Sequence, residues 1–142
     1  MNHIQEAELA CAKLLNQFAT LNDAGRYEDM AALFAEDGRF ASPMVPDTFI
    51  TGRVAIRDSF EERRNESVSR HLLSNIVIDV IDEKSAKGSA YALLILGMPE
   101  NKAELGIKAN SSQFVGDYIV EFKKTHKGWE IAQLTAQAVL TT

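Results

Sequence analysis

The sequence predicts an α+β fold in which helices come first and a long, strongly curved antiparallel sheet follows. Three observations carry this. Apolar residues recur at intervals of three and four early in the chain, β-branched and aromatic residues dominate from Ser69 onward, and Thr125-His126-Lys127-Gly128 joins the last two strand-like segments as a glycine-containing hairpin loop. Helices segregated from strands argue against alternating βαβ units. With 142 residues and 46% hydrophobic content, residues 1–142 suit one domain with a substantial core.

The first helix is expected over Ile4 to Leu21, where Ile4, Ala7, Cys11, Leu14, Leu15 and Phe18 form one apolar stripe and Glu6, Glu8, Lys13 and Gln17 fall elsewhere. Gly25 provides its exit. A short second helix carries Tyr27, Met30, Ala31 and Phe34, with Glu28 and Asp29 in the first turn, where the free amides favour acids. Asp37-Gly38 then predicts a turn. Arg39 to Ser42 and Phe49 to Thr51 read as short strands separated by Pro43 and Pro46. A third helix starting near Gly52 or Arg53 buries Ile56 and Phe60, and its other, mostly charged positions lay it across the outside of the fold.

Leu72 to Ile81 is too rich in β-branched residues for an ordinary helix, and Asp82-Glu83-Lys84 turns the chain. Ala86 to Leu96 forms the next strand, broken by Gly97-Met98-Pro99-Glu100-Asn101. Phe114 to Lys124 and Trp129 to Val139 complete the sheet. One face, fed by Ile76, Ile78 and Val80, needs cover, and the early helices supply it. A sheet wrapped around the first helix in this way leaves a conical interior open at one end.

A net charge of -5 and a pI near 5.2 give no general attraction to nucleic acid or to an anionic membrane. Arg57, Arg63, Arg64 and Arg70 are offset by Asp58, Glu61, Glu62 and Glu66, which describes a solvated helix face. The single cysteine, Cys11, excludes an intrachain disulfide and a thiolate metal cluster, and its place in the apolar stripe predicts burial. MNHIQEAELA lacks an export signal and no stretch approaches the roughly 20 apolar residues of a membrane span, so a cytoplasmic location is expected. Without HExxH, clustered histidines or a glycine-rich strand-to-helix loop, no metal or nucleotide cofactor is expected.

Asp23 and His71 are the acid and histidine whose placement suggests a shared interior. Helical arithmetic sets Asp23 about 140° from Phe18 and Asn22 about 40°, so a regular helix turns Asp23 off the apolar face. Two placements remain open for Asp23: solvated or capping the local backbone, or aimed inward by a distortion. His71 shares strand parity with Leu73, Asn75, Val77 and Asp79, which fits either a surface position or a strand whose first half enters an interior. If the two meet, the carboxylate accepts one imidazole N–H and leaves the other nitrogen as a base. With no nucleophilic Ser, Cys or Thr context beside His71, such a pair serves proton abstraction better than acyl transfer. Asn75, Tyr91, Gln113, Tyr118 and Gln133 are candidate substrate-binding groups among apolar strand residues. For the tyrosines, packing at the core edge competes with polarising a carbonyl. Trp129 reads as a packing anchor of the last hairpin.

Several segments, in this order and spacing, carry a family resemblance: the run from Phe18 to Tyr27 containing Asn22-Asp23-Ala24-Gly25; Leu33 to Phe40; Gly52-Arg53-Val54-Ala55-Ile56; Arg70-His71-Leu72-Leu73-Ser74-Asn75; and Gly116-Asp117-Tyr118 leading to Lys127-Gly128-Trp129-Glu130-Ile131. Across almost its whole length the chain resembles the SnoaL-like branch of the NTF2-like superfamily. That resemblance implies an NTF2-like cone with an interior pocket, frequently assembled as a homodimer or homotrimer. In scytalone-dehydratase-like and dehydrochlorinase-like members, an aspartate and a histidine matching Asp23 and His71 are paired, which implies an inward Asp23. Asn22 stands where the dehydratase group has tyrosine, and the pocket base of the dehydrochlorinase group has no match. The implied function is a cofactor-independent lyase or isomerase abstracting a proton from a small hydrophobic or polyketide-like substrate. The alternatives are a noncatalytic domain binding a small hydrophobic ligand, and an accessory subunit resembling the small subunit of ring-hydroxylating dioxygenases.

Overall fold

A computed structural model describes residues 1–142. Its elements are α1 (His3–Asp23), α2 (Tyr27–Ala31), β1 (Phe34–Ala41), β2 (Ile50–Thr51), α3 (Arg53–Glu62), β3 (Val68–Val80), β4 (Ser85–Lys102), β5 (Ile107–Ala109), β6 (Phe114–Thr125) and β7 (Gly128–Thr141). The strands form one sheet in the order β2-β1-β7-β6-β4-β3, with β5 paired to β4. All pairings are antiparallel except β1 with β7, which run parallel.

Local chemistry fixes both ends of α1. Asn2 and Gln5 form a reciprocal capping box, the Asn2 side chain accepting from Gln5 N–H at 2.9 Å and Asn2 N–H donating to Gln5 Oε1 at 3.1 Å. At the far end Gly25, at φ +69°, adopts the left-handed conformation that suits glycine. Arg26 N–H reaches Leu21 O and Gly25 N–H reaches Asn22 O, both at 3.0 Å, closing a Schellman motif. The helix therefore stops directly after Asp23 and Ala24.

The inward face of α1 places Ala7, Cys11, Leu14, Leu15, Phe18 and Ala19 against the sheet. Phe18 meets Phe34, Phe60 and Tyr118 edge to face, with centroids 6.0, 6.3 and 5.8 Å away. Burying an aromatic ring of this kind contributes roughly 3 kcal/mol. Room for the helix comes from β4, whose inward positions Ala86, Gly88, Ala90 and Ala92 are small. Cys11 is fully buried and its thiol is pushed up to about 12 by burial, which leaves it a packing residue. On α3, Arg53 donates to Phe34 O and to Glu130, both at 2.8 Å, while Thr125 Oγ1 donates to Glu130 at 2.9 Å. These bonds satisfy the buried Glu130 and pin α3 across β1 and the β6–β7 hairpin.

Four local expectations change. Phe34 opens β1 rather than closing α2. Asp37-Gly38 lies inside β1, where the register with β7 shifts, and a Cβ at Gly38 would come within 2.9 Å of Ala35 O. Pro99 does not end β4, because beyond Gly97 this strand pairs with β5 in a projecting hairpin, where a missing N–H is tolerated. The fourth concerns β3: its register with β4 shifts between Ser74 and Val77, and Asn75 sits at φ +54°. This β-bulge reverses the alternation. Ser69, His71 and Leu73 share the inner face with Ile76, Ile78 and Val80, while Asn75, Val77 and Asp79 turn outward.

Candidate functional site

Asp23 is the last residue of α1 and His71 lies near the start of β3, the edge strand that curls alongside the helix. His71 Nδ1 lies 2.6 Å from Asp23 Oδ1, and His71 backbone N–H donates to Asp23 Oδ2 at 2.8 Å. Ser69 Oγ, two positions earlier on the same strand face, donates to Asp23 Oδ1 at 2.8 Å. Three donors from one strand thus converge on one carboxylate. The helix stays regular through Asp23. The side chain nevertheless finds shelter, because the sheet wraps far enough around α1 to meet a flank well away from the Phe18 stripe.

The Asp23 side chain is 9% exposed and that of His71 16%. Burial pushes the Asp23 carboxyl upward. The His71 ring, the His71 N–H, the Ser69 hydroxyl and the charge of protonated His71 together outweigh that and hold it below its ordinary value. A carboxylate at a helix C-terminus also faces the negative end of the helix dipole, so these donors oppose two unfavourable influences. Because an ionised carboxylate only accepts, Nδ1 carries the hydrogen, and the neutral ring has Nε2 free as an acceptor. The arrangement can take up a proton at Nε2 and stabilise the resulting imidazolium.

The inward rows of the sheet place the other residues. His71 pairs with Leu94, and Leu94 with Phe114. The next row is Leu73, Ala92, Gly116 and Ala138. Below it Ala90, Tyr118 and Ala136 stand side by side. Tyr118 lies inside, at 6% exposure. Tyr91 alternates with buried Ala90 and Ala92, projects from the outer face and is 53% exposed. Gln133 accepts from Arg39 at 3.0 Å on that outer face, Asn75 is exposed at the bulge, and Gln113 is exposed beside Thr142, which its backbone N–H reaches at 2.7 Å. The structure thus pairs Asp23 with His71, places Tyr118 two rows away on the same inner face, and disperses Asn75, Tyr91, Gln113 and Gln133. The sequence did not single out Ser69, whose role depends on the carboxylate that the fold brings to it.

Two surface concavities, of about 470 and 630 Å³, lie along the outer flank of α1 and beside His3, Lys84, Lys124 and Trp129, and neither touches Asp23 or His71. No three His, Cys, Asp or Glu side chains converge as a metal site, and no helix is long and apolar enough to cross a membrane.

The family model for the SnoaL-like domain matches residues 5–135, and the chain belongs to that family. Its fold is shared with a type 2 hexachlorocyclohexane dehydrochlorinase, at 13% identity and a TM-score of 0.81 over 99% of this chain and 90% of that one. A Novosphingobium aromaticivorans protein provisionally assigned as a scytalone dehydratase is 22% identical, with a TM-score of 0.79 over 99% of this chain and 89% of the other. A Mycobacterium tuberculosis protein of unknown function is also 22% identical, with a TM-score of 0.75 over 97% and 78% of the respective chains. No curated protein sequence matches the chain.

Proposed function

We propose that this protein is a cofactor-independent lyase or isomerase that removes a carbon-bound proton from a small hydrophobic substrate. His71 Nε2 is the base, and Asp23 orients the ring and stabilises its charged form. The observation that carries this reading is the sheltered carboxylate held by three donors of β3, which fixes one imidazole tautomer. Two structural neighbours bear names that denote eliminations, a dehydratase and a dehydrochlorinase, and both reaction types suit a base beside an apolar interior. Leu73, Leu94 and Phe114 around His71 favour an apolar substrate.

Exchange of the activated hydrogens of 2-tetralone in D2O, followed by NMR, tests this. The native protein should accelerate exchange and His71→Gln should return it to the buffer rate with the melting temperature preserved. Full exchange by His71→Gln would rule out the base. Binding of 2-tetralone by both proteins without exchange would point instead to ligand storage.

The protein also self-associates, on this reading, as a homodimer or homotrimer through the outer sheet face. Leu72, Val77, Tyr91 and Ile119 are 50%, 53%, 53% and 48% exposed there, and register places Leu93 and Val115 between them. Ser89 and Asp117 are interspersed among these side chains, a mixture of apolar and polar groups of the kind that subunit interfaces bury.

A further inference from the structure

The concavity of about 630 Å³ beside Trp129 lies at the far end of the sheet from His71. Leu94, opposite His71, and Ser85, at the start of β4, are nine residues apart, or about 30 Å along the strand. Three segments meet there: the start of α1 with His3, the β3–β4 turn with Glu83 and Lys84, and the β6–β7 hairpin with Lys124, His126 and Trp129. Lys124 N–H donates to Lys84 O at 2.9 Å, which ties the two turns side by side.

Register aligns the side chains. Lys124 pairs with Trp129 across the hairpin, and Lys123 pairs with Ser85, so Lys84, Lys124 and Trp129 continue one row on the same face. That face is the inner one, because the preceding inward row holds buried Ala86, Phe122 and Ile131. Two lysines side by side in a row repel each other. Lys123, on the opposite face, is neutralised by Asp37 at 2.7 Å. Lys84 and Lys124 pair with no carboxylate, that of neighbouring Glu83 included. Trp129 is half-buried against the core and forms the aromatic wall beside them.

We infer that this concavity is a second binding site, separate from the Asp23–His71 pair, for a small planar aromatic carboxylate. The ring lies against Trp129 and the carboxylate accepts from the Lys84 and Lys124 ammonium groups, which relieves their repulsion. Two lysines against Glu83 leave one net positive charge on the lining, which matches a monoanion better than a phosphate dianion. The chain as a whole carries a net charge of -5, so the attraction belongs to this row alone and disfavours an extended polyanion. The site does not depend on the reading of His71 as a base.

Trp129 is the only tryptophan, so its indole N–H gives a single NMR signal. The probe is 2-naphthoate, with uncharged 2-naphthamide and ring-saturated cyclohexanecarboxylate as controls. In the native protein 2-naphthoate should move the Trp129 signal and bind about tenfold or more tightly than either control. Joint replacement Lys84→Gln and Lys124→Gln alters two exposed side chains, and should weaken 2-naphthoate binding by about tenfold or more with the melting temperature preserved. An unmoved Trp129 signal, equal affinity for 2-naphthamide, or equal affinity in the double variant would each overturn the site. So would loss of 2-naphthoate binding in His71→Gln with the double variant unaffected, which would seat the probe beside His71. Lysine-dependent binding that persists in His71→Gln supports the site whether or not exchange of 2-tetralone requires His71.

Discussion

His71 holds Asp23 twice, through Nδ1 at 2.6 Å and through its backbone N–H at 2.8 Å, across 48 positions of sequence. The two bonds use different carboxylate oxygens, so the imidazole and the strand backbone are locked to the helix end together. A pair held by a side chain alone could swing apart, whereas this one moves only if β3 and α1 separate. The contact is thus both a structural clasp and the proposed proton-transfer unit.

Replacing Asp23 by Asn tests both roles. The amide nitrogen would face donors that need an acceptor, costing about 1–3 kcal/mol of stability, measurable by urea unfolding. Exchange of 2-tetralone should fall by about a hundred- to ten-thousandfold, because the base loses its orienting charge. Unchanged exchange with reduced stability would confine Asp23 to the clasp.

The depressed Asp23 pKa gives a signed pH dependence. Its folded value lies below its unfolded one, so between them the unfolded chain binds the additional proton. This contribution is present above about pH 4 and is lost as pH falls through the folded value. Asp37, Glu61 and Asp82 are lowered too, by Lys123, Arg64 and the Lys84 N–H respectively. Subtracting the Asp23→Asn curve from the native one removes their share. The difference in unfolding free energy should shrink as the pH falls below about 4, and a flat difference would contradict the lowered value.

Gly88→Ala should destabilise the protein by overpacking rather than by backbone strain. A Cβ there would lie 2.9 Å from both Ile78 Cδ1 and Phe122 Cε2, and the Phe122 ring is itself buried. A cost of about 1–3 kcal/mol is expected from thermal or chemical unfolding. A neutral effect would show that the ring can shift freely.

Charging the outer sheet face separates assembly from folding. The double substitution Val77→Lys and Ile119→Lys affects two half-exposed side chains, so the melting of an isolated subunit should change little. Light scattering should show a smaller particle than the native protein. An unaltered mass would place any interface elsewhere.

Much of the framework was legible because it rests on local periodicity. The stripe from Ala7 to Phe18 defines α1, Ile56 and Phe60 define the buried side of α3, and the Gly128 turn defines the last hairpin. Asp23 and His71 could be singled out by residue type, position and family resemblance. Ser69 could not, since a serine at a strand start has no distinguishing pattern until its acceptor is known.

The sequence by itself determined the long helices and most of the strands, because periods of 3.6 and 2 are written in neighbouring residues, while the start of β1 and the short β5 were set by pairing. Only the tertiary structure decided which side chains share an interior. The Asn75 bulge, a product of pairing between β3 and β4, turns Asn75, Val77 and Asp79 outward and brings Ile76 onto the His71 face. The curl of the sheet carries β3 to a flank of α1 that helical arithmetic alone assigns to solvent. Register and curvature are collective outcomes of contacts between distant segments, so no local window of sequence contains them.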